Sequence, residues 1–206
     1  MLLAVKDSEV GQQLDKALNL AMYVHEGQFT IHHHLPFITH PLDVLAFVSD
    51  WGVKNVAIRQ AAILHESLNP QCANPMDFQM LYDEFGEKVA SIVKDCTFVY
   101  DNPNLESEDE EVRKVAIKDQ KRASNEFFKT FNEKSTSAIV IAVADRLLIT
   151  AGLISVSPDK ARPCFALAKE LFTVMRSRHE DIRKKQGEEV WSRMRYQLTQ
   201  VSQMMN

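Results

Sequence analysis

"THPLDVLAFVSDWGVKNVAIRQAAILHESLNP", residues 39–70, carries the pattern from which the fold can be read. It holds two helical segments. In the first, Thr39 or His40 suits the cap, Pro41 the first turn and Gly52 the stop. In the second, Val56, Ala57, Ala61 and Leu64 recur at helical spacing. Pro70 cannot continue that helix, because it lacks an N–H and clashes with the preceding turn. His65 and Glu66, both able to bind metal, interrupt the apolar run just before it ends.

The same pattern extends in both directions. Upstream, Asp7 or Ser8 caps a helix built on Leu14, Ala17, Leu18, Ala21 and Val24, and Gly27 ends it. Downstream, Asn74 and Pro75 open a helix that Gly86 stops, and "EKVASIVKDCTFV" makes a short one after it. An acidic loop, "YDNPNLESEDEEV", leads into the basic helix "VRKVAIKDQKRASNEFFKTF". "STSAIVIAVADRLLITAGLIS" reads as a buried helix. One long helix then runs from Ser157 as cap through Pro163, and "GEEVWSRMRYQLTQVSQMM" closes the chain.

Only six glycines and seven prolines punctuate 206 residues, so elements are long. There is no convincing strand run and no internal repeat. The expectation is an all-α bundle of about nine helices. It is one domain over residues 1–206, with a core at about 8–156 and a helical extension at 157–206 packed on it.

Composition narrows the function. A hydrophobic share of 45% and a charged share of 25% suit a soluble globular protein. A net charge of -4 argues against duplex nucleic acid as partner. Cys72, Cys96 and Cys164 lie far apart, as expected of reduced thiols in a cytoplasmic protein. "MLLAVKDSEV" lacks a signal-peptide core, and no stretch reads as a membrane span, since Asp145 and Arg146 sit at the centre of the most apolar one.

Asp145 is the strongest chemical signal, being the only acid between Ser135 and Val156. A buried carboxylate needs a partner. Arg146 diverges from it by about 100° around the helix, which makes it a poor one. A distant cation or a metal ion are the two alternatives. His65 reads as a core histidine or a ligand, and His40 as a helix cap or a ligand. His40, His65, Glu66 and Asp145 would together give mixed nitrogen and oxygen ligation, suited to manganese, iron or zinc.

The ordered set "AMYVHEGQ", "LPFITHPLDVLAFVSDWG", "IRQAAILHE", "FGEKVASIV" and "VADRL" resembles the HD-domain phosphohydrolases. Within them it is most similar to the RelA/SpoT-type hydrolases of guanosine tetraphosphate, including the small stand-alone forms. The resemblance spans residues 15–155 or so. It implies an all-helical HD domain with one divalent ion: manganese first, iron, zinc or magnesium as alternatives, and none if the altered site fails to bind. It implies release of pyrophosphate from the 3′ position of the nucleotide. By resemblance His40, His65 and Asp145 are metal ligands, and Glu66 stands where the family has Asp.

Five positions, at three places in the chain, depart from the family pattern. Asn69 and Pro70 occupy the place of a Glu-Asp pair that readies the attacking water. Ile149 replaces a nucleotide-contacting Asn, and Phe29 and Thr30 replace basic residues beside the base. Losing a general base typically removes about 10²–10⁴-fold of rate. The expectation is therefore a divergent phosphohydrolase acting on a nucleotide or other small phosphate ester with weakened catalysis. The alternative is an inactive HD domain that binds a nucleotide or a protein. Asn69 is the degenerate catalytic position. Lys118, Lys121, Arg122 and Thr30 are the candidate substrate contacts, with a solvated basic face as the plain alternative for the helical three. "IHHH", residues 31–34, reads as a surface loop, or as an altered substrate contact or second metal site. The sequence leaves the oligomeric state open.

Overall fold

The computed structural model describes residues 8–30 and 34–205. Asp7 as a cap, and Ile31, His32 and His33 of the "IHHH" loop, lie outside the described residues. Ten α-helices and two short 3₁₀ turns make up the described chain, with one isolated bridge between Phe29 and Pro36. The architecture is all-α, as expected.

Helix α1 (Glu9–Val24) begins at Ser8, whose side chain accepts from Gly11 N. Helix α2 (Thr39–Asp50) starts one residue earlier than the capping expectation. Ile38 holds the cap position, and the Thr39 hydroxyl donates to Pro36 O instead. His40 thus sits within the first turn, aimed inward. Helix α3 (Val56–Leu64) is capped by Asn55, whose side chain accepts from Ala57 N and Ile58 N.

Helix α3 ends at Leu64, well before Pro70. At that end the His65 ring takes Ala62 O and Ser67 N bonds Leu64 O, and the turn that follows is held by the carbonyls of Glu66 and Ser67. Asn69 N and the Cys72 thiol reach Glu66 O, and Met76 N reaches Ser67 O. Asn74 does not cap the next helix. Its side chain donates to Tyr23 O, closing the end of α1, while Asp77 accepts from Met80 N to start α4 (Phe78–Cys96). Gly86 breaks α4 with φ 80°, where the sequence placed a stop between two helices.

Helix α5 (Glu110–Lys129) begins at Asp109, whose carboxylate accepts from Glu111 N and Val112 N. Helix α6 (Thr136–Val156) is the central element, with every residue from Thr136 to Asp145 buried. By length and composition it could cross a membrane, but here it is a core helix. Helices α2, α3 and α4 pack against it from one side.

The single late helix expected from Ser157 onward is three. They are α7 (Pro158–Leu167), α8 (Lys169–Ser177) and α9 (His179–Gln186), with breaks at Ala168 and Arg178. The Ser157 side chain makes no capping bond. At the second break the Arg178 guanidinium donates to the carbonyls of Phe131 and Lys134, which ties the turn to the core. Helix α10 (Glu188–Gln203) follows. Leu171, Met175, Ile182, Met194 and Leu198 join the same apolar cluster as α3 and α6, so the late helices share the core.

Candidate metal centre

Three parts of the fold bring the polar residues together: the first turn of α2, the turn that follows α3, and the middle of α6. The ligating atoms of His40, His65 and Glu66 all lie within 4.8 Å of one another. Asp145 Oδ1 lies 3.2 Å from His40 Nε2 and 4.0 Å from His65 Nε2. His65 Nε2 is 3.9 Å from Glu66 Oε1. Donors each about 2.1 Å from one ion stand roughly 3–4 Å apart, so these spacings fit a common ion.

The turn after Leu64 solves a geometric problem. On a regular helix adjacent side chains diverge by about 100°. Outside it, His65 and Glu66 can face the same point.

Hydrogen bonds fix each ligand from behind. His65 Nδ1 is 2.9 Å from Ala62 O, a group that only accepts. Nδ1 therefore carries the proton, and Nε2 presents a lone pair. Asn69 Nδ2 donates to Glu66 Oε2 at 3.1 Å, leaving Oε1 toward the cluster. Arg146 Nε and Nη2 both donate to Asp145 Oδ2, at 2.8 and 2.6 Å. The sequence made Arg146 a poor partner, and this corrects that reading. The arginine side chain is long enough to fold back along the helix, so the Cβ direction does not decide where its guanidinium lands.

Four buried atoms among the described residues lack a hydrogen-bond partner, His25 Nε2, Ser67 Oγ, His65 Nε2 and Asp145 Oδ1, and the last two belong to the cluster. Burial works to lower the His40 pKa, but Asp145, whose Oδ1 is 3.2 Å from His40 Nε2, outweighs burial and raises it. Buried polar groups are normally paired, and an ion is the partner that two such acceptors share. The donor set and these orphaned atoms fit a divalent ion. Burial works to raise the Asp145 pKa, but the Arg146 guanidinium and His40 outweigh it and hold the carboxyl well below the usual carboxylate range. Burial lowers the His65 pKa, which favours the neutral ligand form.

His25 supports the cluster from one side. Its ring packs 4.6 Å from Phe37, which in turn lies 5.6 Å from His40. Its Nδ1 pairs with Gln28, and Gln28 Nε2 donates to Gln71 O.

A cavity of about 260 Å³ opens against the cluster. His65, Glu66, Asn69, Asp145 and Arg146 form one wall. Phe98, Phe127 and Phe128 with Gln120 and Ser124 form the opposite one. Lys118, Lys121 and Arg122 are on the exposed face of α5 and do not line it, and Arg122 pairs with Asp119. Thr30 is used within its own loop, where its hydroxyl accepts from Leu35 N. His34, the described part of "IHHH", is exposed with φ 50°. Gln120 and Ser124 went unnoticed in the sequence, although "QKRAS" places them one helical turn apart beside the cations.

His40, His65 and Glu66 thus form a group whose geometry could hold an ion, with Asp145 beside it. The HD domain model matches residues 17–148, more than half of the chain, and the chain belongs to the HD domain family. Among solved structures, it is similar to one described as a metazoan ortholog of SpoT that hydrolyses ppGpp and plays a role in starvation responses. That similarity has a TM-score of 0.65 at 19% identity and covers 91% of this chain and 94% of the other. No curated protein matches by sequence.

Proposed function

We propose that this chain is a divergent metal-dependent phosphohydrolase of the HD type, acting on a nucleotide or another small phosphate ester. The observation that carries this reading is the convergence of His40, His65 and Glu66 with Asp145 at two buried, unpartnered acceptor atoms. Those four residues would hold one divalent ion, with manganese the first choice for a mixed histidine and carboxylate set. When bound, the ion supplies Lewis acidity for a phosphate oxygen. The fold shared with a SpoT ortholog that hydrolyses ppGpp supports a nucleotide as the substrate class.

The chain's own residues orient and exclude. His65 is fixed in one tautomer by Ala62 O, and Arg146 holds Asp145 so that one oxygen faces the cluster. The aromatic wall keeps bulk water away from a bound ester. Among the described lining residues, the only carboxylates are Glu66 and Asp145, both members of the cluster. Asn69 is not basic enough to take a proton from water, so turnover is slow.

That same amide favours a second reading, an inactive HD domain that binds a nucleotide or a protein. Asn69 is committed to Glu66 and to Gln71 N. Purified protein incubated with manganese and a panel of phosphate esters separates the two. Metal-dependent product that vanishes in Asp145→Asn supports the enzyme. Ligand-induced thermal stabilisation without product supports the binding module.

A further inference from the structure

The cavity beside the metal cluster is unlike a polyphosphate site in its charge. Among the described lining residues Arg146 is the only cation, and two of its three guanidinium nitrogens, Nε and Nη2, already serve Asp145 Oδ2. Two carboxylates would cancel a divalent ion. A buried phosphate oxygen needs a cationic or strong donor partner. The wall can therefore neutralise one phosphate group, and a ligand with several has nothing to meet the rest.

The rest of the lining mixes aromatic rings with neutral donors. Phe98 and Phe127 stand 4.9 Å apart, and Phe98 stacks on Tyr100 at 6.2 Å and 13°. A second cavity, of about 290 Å³, runs along Tyr100 and Pro70. It shares Asn69, Phe98 and Gln120 with the first, so the two spaces meet at a neck made by those side chains. Gln120 and Ser124 lie on the cavity face of α5, four residues apart, and can hydrogen-bond a neutral group.

From this arrangement we infer that the ligand is a phosphate monoester of a flat aromatic or heterocyclic body, not a nucleoside bis-diphosphate. Its single phosphate meets the His40–His65–Glu66 cluster. Its ring lies along Phe98, and Gln120 and Ser124 bond its edge. This rests on the proposed metal site and adds the substrate class to it.

The test is calorimetric binding to the full chain loaded with manganese, with metal content measured on the same samples. The probes are adenosine 5′-monophosphate, p-nitrophenyl phosphate, inorganic phosphate and guanosine tetraphosphate. At least one of the two ring-bearing monoesters should bind tenfold or more tighter than inorganic phosphate, and the tetraphosphate no tighter than the better monoester. Gln120→Leu should weaken monoester binding about fivefold, the loss of roughly one hydrogen bond, with metal content unchanged. Lys121→Ala should change neither quantity. A tetraphosphate preference of tenfold that is lost in Lys121→Ala overturns the inference and leaves the metal site standing. So does equal binding of monoester and inorganic phosphate. A wild-type chain that takes up no manganese overturns the metal site and this inference together.

Discussion

Asp145 holds two roles at once. One oxygen is clamped by Arg146, and the other is left for the cluster. Replacing it with Ala removes a ligand and strands the buried end of Arg146. Breaking a buried pair costs about 3–5 kcal/mol, and the partial solvent access of Arg146 places this case at the low end. Urea denaturation of Asp145→Ala against the parent checks that, with Asp145→Asn expected to lose less. Asn69→Ala tests a subtler point. Without its amide, Glu66 is free to turn, and removing such an outer-shell partner typically weakens metal binding about 10–100-fold. Calorimetric titration with manganese should show the weaker affinity with little change in folding. Cys72 gives a pH test. Burial, helped by the nearby Glu66 carboxylate, pushes its thiol up to about 12. Only the thiolate reacts, so iodoacetamide labelling of Cys72 should climb steadily from pH 7 to pH 10 without levelling. A plateau near pH 9, as for an ordinary thiol, would contradict the burial described here. At this scale the sequence made the clustering polar residues visible, since each stands out against an apolar run. It did not make Arg146 visible, because spacing along a helix says where a Cβ points and nothing of where a long side chain ends.

At the scale of the helix, the decisive feature is where α3 stops. Pro70 was the legible signal, yet the chain leaves the helix after Leu64, where the His65 ring takes Ala62 O and Ser67 N bonds Leu64 O. No residue of helix-stopping chemistry marks that point in the sequence. Asn74 shows the same limit: it has capping chemistry, but spends it on the end of α1. Gly86 was readable because its role is local. It takes φ 80° with nothing within 4 Å of the position a Cβ would occupy, so an added methyl meets no neighbour and pays only in backbone strain. Gly86→Ala should cost about 1–3 kcal/mol in equilibrium unfolding, since φ 80° with ψ 168° is a region essentially reserved for glycine. A neutral result would mean that the break in α4 relaxes without that conformation. Cap and stop residues framed α2, and apolar periodicity identified α1 and α3. It ran the late segment together, since the breaks at Ala168 and Arg178 carry no glycine and follow from tertiary bonds such as Arg178 to Phe131 O.

For the whole molecule, α6 couples the fold to the site. Its buried residues anchor both the α2–α4 side and the late helices, and Asp145 projects from its middle into the cluster. An ion bound there would therefore stabilise the entire chain, by about 2.7 kcal/mol at a hundredfold excess over its dissociation constant. The most direct measurement is manganese stoichiometry by elemental analysis after equilibrium dialysis, run on the parent chain and on His65→Ala. The account predicts close to one ion per parent chain and a loss of tenfold or more in affinity for the variant. A parent chain that binds no ion, or a variant that binds as the parent does, would contradict it.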